Sequence, residues 1–224
     1  MTLVIAVVGT ATDVGKTWVG ATLVRMLRSR GLRVVARKPA QSFEPGTGPT
    51  DADVLGAATE ESPFHVCPEH RWYPVPVAPP MATVILGRAP LTLAEATTEL
   101  IWSDGVDVAL VESVGGVRSP ICDDADSAEF IAAVRPDVVV LVADAGLGTI
   151  NAVRLSAAAL TASGALGSVA PLCVVLNRYD DSDDLHRRNR DWLVGRDAMN
   201  VSTTVAELAE VLEQLLETAP TLTD

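Results

Sequence analysis

The run Leu3-Val-Ile-Ala-Val-Val8 passes without a polar residue into Gly9-Thr-Ala-Thr-Asp-Val-Gly-Lys-Thr17, and this junction constrains the chain more than any other stretch. Six consecutive apolar, mostly β-branched residues predict a strand covered on both faces. Gly15 to Arg30 follows with Val19, Leu23, Met26 and Leu27 at helical spacing and Gly31 as a stop. A glycine-rich turn from a buried strand into a helix presents backbone N–H groups in one direction, and the helix N-terminus adds positive potential, so the turn suits phosphate. Lys16 is placed to reach the β- and γ-phosphates of a nucleotide, and the Thr17 hydroxyl to ligate Mg²⁺. The spacing departs from strict G-x4-G-K-[ST]: Thr10 takes the first position, with the glycine one residue earlier.

The pattern repeats along the chain. Arg33–Arg37, Val106–Val111, Asp137–Ala143 and Leu172–Leu176 read as further strands. Asp51–Ala58, Thr92–Trp102, Ser127–Val134, Asn151–Ser163 and Val205–Leu216 read as helices, Gln41–Pro49 as loop, and Glu61–Pro80, with six prolines, as an irregular excursion. Unbroken apolar strands alternating with helices predict an α/β fold: a doubly wound, mostly parallel sheet in a three-layer α/β/α arrangement, with ligands beyond the carboxyl ends of the strands. A length of 224 residues is expected to form one phosphate-loop domain over residues 1–217, with 218–224 a short tail.

Charge and composition narrow the function. The net charge of −12 repels phosphate backbones and anionic lipid, so nucleic acid and membrane are poor partners, and any anionic ligand needs a local device. No apolar run reaches the ~20 residues of a membrane-spanning helix. The three scattered cysteines, Cys67, Cys122 and Cys173, predict a reduced, cytoplasmic protein. Of the 17 basic residues only Lys16 and Lys38 are lysine. Both follow predicted strands, where a compact ammonium rather than a planar fork is in demand.

The string GTATDVGKT, with Lys38-Pro39 about twenty residues on, resembles dethiobiotin synthetase, an ATP-dependent family of biotin synthesis. The resemblance continues through Thr50-Asp51-Ala52, Val111-Glu112-x-x-Gly115-Gly116, Gly146-Leu147-Gly148-Thr149-Ile150-Asn151 and Asn177. It implies a nucleotide site of Gly9, Asp13, Val14, Gly15, Lys16, Thr17 and Asn177, with the amide of Asn177 against the base. It implies catalytic roles for Thr12, Lys16, Lys38 and Ser42, with Lys38 facing the γ-phosphate opposite Lys16. Glu112 at a strand end, Asp51 and Thr17 form a plausible oxygen set for Mg²⁺, although Asp51 also reads as a helix N-terminal residue behind a Thr50 cap. The family binds its diamine substrate through Lys38, Ser42, Gly115, Leu147, Gly148, Thr149 and Asn151, the turn at 146–151 taking the carboxylate. It works as a homodimer in which that turn reaches across the interface. ATP, CO₂ and the diamine 7,8-diaminononanoate are then the co-substrates.

The chain departs from the family at Ser113 and Val114, where Gly-Ala is usual, and at Val77-Ala-Pro-Pro80, where Ser-Pro-His is common. No Pro-x-x-Gly-x-Ile-Pro stretch follows Asn177, which leaves the nucleobase preference open. Two rival readings stand beside the first. A diverged paralogue would keep ATP binding and take another amine or carboxylate. A partitioning-type dimerisation ATPase would carry an extra lysine early in its loop, absent here, and membrane-binding members end in a basic helix, whereas this last helix bears Glu207, Glu210, Glu213 and Glu217. His65, Cys67 and His70 match no common zinc spacing. Asp180–Asp184 reads as a solvated turn capping the next helix, with Arg187, Arg188 and Arg190 as its ion-pair partners.

Overall fold

In chain order, the computed structural model places strand β1 at Leu3–Gly9, helix α1 at Lys16–Ser29, β2 at Val34–Arg37, β3 at Gln41–Ser42, α2 at Asp51–Thr59, α3 at Pro63–Val66, β4 at Trp72–Tyr73, α4 at Pro79–Leu86, α5 at Leu93–Thr98 and β5 at Val108–Glu112. There follow β6 at Pro120–Cys122, β7 at Ala125–Asp126, α6 at Ser127–Val134, β8 at Val138–Asp144, α7 at Thr149–Ala162, β9 at Leu172–Asn177, α8 at Asp184–Gly195, β10 at Asn200–Ser202 and α9 at Val205–Thr218. The structure describes residues 2–167 and 170–218; the proposed tail beyond 218 lies outside them.

Among the described residues, six strands form one parallel sheet in the order β10-β9-β8-β1-β5-β2. Strand alternation sorts the side chains into two cores. Leu3, Ile5 and Val7 of β1, Val108 and Leu110 of β5, and Val34 and Ala36 of β2 pack with α1, α2 and α9 on one face. Ala6, Val8, Val111, Val139 and Leu141 pack with α6, α7 and α8 on the other. The doubly wound, three-layer α/β/α fold read from the apolar runs is the one observed.

Four local readings change. The helix expected over Thr92–Trp102 ends at Thr98, although its start is firmly fixed by a Thr92–Glu95 capping box. Gln41–Ser42, expected in a loop, pairs in parallel with Trp72–Tyr73. The proline-rich excursion contains α3 and β4 and ends in α4, whose two prolines occupy its first turn, where a missing N–H costs nothing. The helix expected from Asn151 begins two residues earlier, at Thr149.

Candidate active site

The carboxyl ends of β1, β2 and β5 converge on one place. Period-2 alternation makes this inevitable: Lys38 continues the α1-facing row of Val34 and Ala36, and Glu112 continues that of Val108 and Leu110. Because β2 and β5 are neighbours with Arg37 opposite Val111, the two rows bring Lys38 and Glu112 side by side. Lys38 Nζ lies 2.5 Å from Glu112 Oε1 and 2.9 Å from Asp51 Oδ2, with the Ser113 carbonyl at 3.4 Å. Lys38 is 2% exposed and Glu112 fully buried.

Asp51 reaches this cluster from the first turn of α2. Thr50 caps that helix, accepting from the Asp53 N–H while Asp53 accepts from the Thr50 N–H, so the cap read from the sequence and the contact with Lys38 coexist. Gln41, buried, fastens the same turn: its Oε1 accepts from the Ala52 N–H and its Nε2 donates to Thr50 Oγ1. From α1, Thr17 Oγ1 stands 2.9 Å from both Asp51 Oδ1 and Glu112 Oε1. Thr17, Asp51 and Glu112 are therefore one oxygen cluster. The second oxygen of Glu112, Oε2, is buried with no hydrogen-bond partner among the described residues. A hard divalent cation such as Mg²⁺ takes oxygen donors of this kind, and the set fits it.

The electrostatics follow from crowding. Burial alone would lower the Lys38 pKa, but the carboxylates of Asp51 and Glu112 overcome it and raise the ammonium above the ordinary lysine range. The Lys38 ammonium in turn holds Asp51 below the usual carboxylate range. Burial pushes Glu112 upward. Burial also lowers Lys16, and repulsion from Lys38 adds to it.

The phosphate loop is built on close backbone approach. Gly15 caps α1 at φ 95, a left-handed geometry that favours glycine, and a Cβ there would fall 2.1 Å from Asn177 Nδ2. Asn177 donates that amide to the Val14 carbonyl at 2.9 Å, and Lys16 Nζ donates to the Ala11 carbonyl at 3.1 Å. Lys38, expected to face a γ-phosphate, is held here by the carboxylates of Asp51 and Glu112.

Two clefts flank the loop. One of about 590 Å³ is lined by Thr12, Asp13, Ser42, Asp51, Val114 and Gly115, among others. It brings together Ser42, whose buried Oγ has no partner among the described residues, with Thr12 and Asp13 of the loop and with Asp51 of the oxygen cluster. The other, about 660 Å³, lies on the far side of α1 and is lined by Gly15, Trp18, Thr22, Asn177, Tyr179 and Thr203, among others. The turn Gly146–Asn151 lines neither of them. It is held at the start of α7 with Gly148 at φ 92 and no side-chain cap, Leu147 fully outward, and the Thr149 hydroxyl buried without a partner among the described residues.

The decoys resolve into ordinary contacts. His70 and Arg71 both bind Glu99. Asp183 caps α8, Arg187 and Arg188 pair with Asp184, and Arg190 pairs with Asp191. Sequence reasoning passed over three polar residues that the structure places around the loop and the turn: Gln41, Arg178 and Asn189. Asn189 is buried in α8 and donates to the carbonyls of Ala145 and Gly146, both at 2.9 Å. A buried asparagine inside a charged helix is a weak signal, and its partner lies 43 or 44 residues away.

Comparison with known proteins is consistent with this geometry. A family model described as AAA domain matches residues 4–214. The ATP-dependent dethiobiotin synthetase of Anaeromyxobacter sp. (strain Fw109-5) is 37% identical over 180 residues, covering 80% of this chain and 78% of its own. That of Rhodococcus jostii (strain RHA1) is 37% identical over 186 residues, covering 83% and 78%. Among solved structures, cobyrinic acid a,c-diamide synthase from Mycobacterium smegmatis, with bound ADP and magnesium, superposes with a TM-score of 0.57 over 100% of both chains at 15% identity, a likeness of fold. Identity of this extent, repeated across bacterial relatives, settles the matter of descent: the chain belongs to the dethiobiotin synthetase family, a family of ATP-dependent enzymes.

Proposed function

We propose that the protein converts 7,8-diaminononanoate, CO₂ and ATP to dethiobiotin. The observation that carries this reading is the convergence of Thr17, Lys38 and Glu112 on Asp51, which lines one cleft together with Ser42 and its orphaned hydroxyl, in a chain 37% identical to a dethiobiotin synthetase. One amine of the diamine adds to CO₂ and loses a proton, giving a carbamate. A carbamate oxygen attacks the γ-phosphorus, and the β–γ bridging oxygen leaves with ADP. The second amine attacks the carbonyl of the resulting carbamic–phosphoric anhydride, phosphate departs, and the amine proton is released as the urea ring closes.

The protein's part is positioning and charge. Lys16 neutralises the transferring phosphoryl group from within the loop, and Lys38 does so from the β2 side, close to where the carbamate lies. Ser42 and Thr12 donate to the carbamate or γ-phosphate oxygens, and Gly115 lets the backbone come close to the diamine. Thr17, Asp51 and Glu112 would hold Mg²⁺, which when bound would supply Lewis-acid charge to the nucleotide. The nucleobase occupies the cleft of Trp18 and Asn177. The diamine's carboxylate is received at the turn Leu147, Gly148, Thr149 and Asn151. A homodimer supplies that turn to the partner's site, and the exposed Leu147 in the turn, Leu155 on α7 and Trp192 on α8 support such an interface.

The test is incubation of the protein with MgATP, bicarbonate and 7,8-diaminononanoate, following phosphate and product mass together. Diamine-dependent phosphate release with a product of dethiobiotin mass is the expected result. Nucleotide binding without that product would transfer the assignment to a paralogue acting on another amine or carboxylate, with the Ser113–Val114 turn as the place of divergence.

A further inference from the structure

Arg178 follows Asn177 at the carboxyl end of β9 and sits in the left-handed region, φ 57, which non-glycine residues adopt rarely. Its guanidinium donates from Nη2 to the Asp13 carbonyl at 2.8 Å and from Nη1 to Asp144 Oδ2 at 3.1 Å. Asp13, in the phosphate loop, is itself left-handed at φ 60. The other carboxylate oxygen of Asp144, Oδ1, accepts the Gly146 N–H at 2.9 Å. A continuous chain of contacts thus runs from the loop carbonyl of Asp13 through Arg178 and Asp144 to the backbone of the turn that precedes α7.

Both ends of the chain are anchored. Asn177 holds Val14 of the loop, and Asn189 holds Ala145 and Gly146 of the turn. Asp144 and Asn177 are direct neighbours in the β8–β9 register, so the sheet fixes the spacing between them. The ion pair in the middle is more than half exposed on each side, and exposed pairs contribute little to stability on their own. What distinguishes this pair is that each member also holds a backbone group of a different segment, Arg178 the carbonyl of Asp13 in the phosphate loop and Asp144 the N–H of Gly146 in the turn before α7. The planar fork of arginine can serve both partners at once, which a single ammonium does less well.

We propose that Arg178 is a positioning residue that couples the phosphate loop to the turn Gly146–Asn151, so that the nucleotide and the carboxylate-bearing substrate each bind more tightly when the other is present. The inference rests on the reading of that turn as the seat of the diamine's carboxylate. Coupling between binding sites is reciprocal, so it is measurable from either ligand.

The experiment titrates the intact protein with MgADP in the absence and presence of saturating 7,8-diaminononanoate, for wild type, Arg178→Ala, Arg178→Lys and Asp144→Asn. The wild-type protein is expected to bind MgADP about fivefold or more tightly with the diamine present. That ratio falls to near one in Arg178→Ala and Asp144→Asn and to an intermediate value in Arg178→Lys. A merely structural role would weaken the separate affinities and leave the ratio at its wild-type value, which would overturn the proposal. A wild-type protein that turns over the diamine but shows a ratio of one overturns the coupling alone. Wild type that binds MgADP and not the diamine overturns the substrate reading, and the coupling with it.

Discussion

Lys38 Nζ lies 2.5 Å from Glu112 Oε1 in a setting where the lysine is 2% exposed and the glutamate is fully buried. Burial pushes the Glu112 carboxyl upward, and the Lys38 ammonium works against that push. Removing one member therefore exposes the cost of burying the other.

Lys38→Met should destabilise the fold by roughly 3–5 kcal/mol, the usual cost of stranding a buried charge. Adding Glu112→Gln to it should restore much of the loss, read as recovery of the urea midpoint at unchanged slope. The catalytic effect separates from this: Lys38→Met lowers turnover about a hundredfold or more, while MgADP affinity of the folded fraction changes little. Full turnover in a folded Lys38 variant would remove the residue from the chemistry.

Asp51 gives a pH-dependent signature. The Lys38 ammonium lowers its pKa, so the ionised form is favoured in the folded state. Its contribution to stability is in place above the unfolded carboxylate value, about 3.9, and is lost as pH falls through the lower folded value. Asp51→Asn should flatten that part of the acid unfolding profile. The same variant should raise the Mg²⁺ concentration needed for half-maximal phosphate release, about tenfold or more.

Gly15→Ala combines a left-handed φ of 95 with a methyl group 2.1 Å from Asn177 Nδ2. It should abolish measurable MgADP binding by calorimetry while the far-ultraviolet circular dichroism stays that of the wild type. Asn177→Ala removes a hydrogen bond worth about 1 kcal/mol from the loop. It should weaken nucleotide binding severalfold even for an analogue lacking the base, such as triphosphate alone.

The thiols offer a check on the core. Burial pushes Cys67 and Cys122 up to about 12 and Cys173 to about 11 from 9.0. The folded protein should release no colour from a disulfide reagent at pH 8, and three equivalents after denaturation.

Much of this arrangement was legible in the residues because it follows local rules. The strand-to-helix junction at Gly9–Thr17 names its own backbone conformation, and Lys38 and Glu112 each follow an apolar run at a strand end; that β2 and β5 are neighbours, which brings the two together, is seen only in the sheet order. What escaped was decided by contacts distant in sequence. Arg178 finds Asp144 34 residues back and Asp13 165 back, and Asn189 reaches Ala145 44 residues back, none at a spacing that a helix or strand repeats. The helix Pro79–Leu86 was masked by its own prolines, which signal irregular backbone in general and a first helical turn only in context. The parallel pairing of Ser42 with Tyr73 is two residues long, too short to leave a pattern.

The distribution of lysine has a practical outcome. Both ε-amines of the chain, Lys16 and Lys38, lie inside the site at 8% and 2% exposure, and every other basic side chain outside histidine is arginine. Burial and the neighbouring Lys38 charge lower the pKa of Lys16, so it is the more nucleophilic of the pair at a given pH. Amine-directed acylating reagents thus meet no lysine on the outer surface to dilute their signal. Their uptake at lysine becomes a direct gauge of site occupancy, and a probe that spreads over the whole surface of most proteins becomes, in this one, an affinity label.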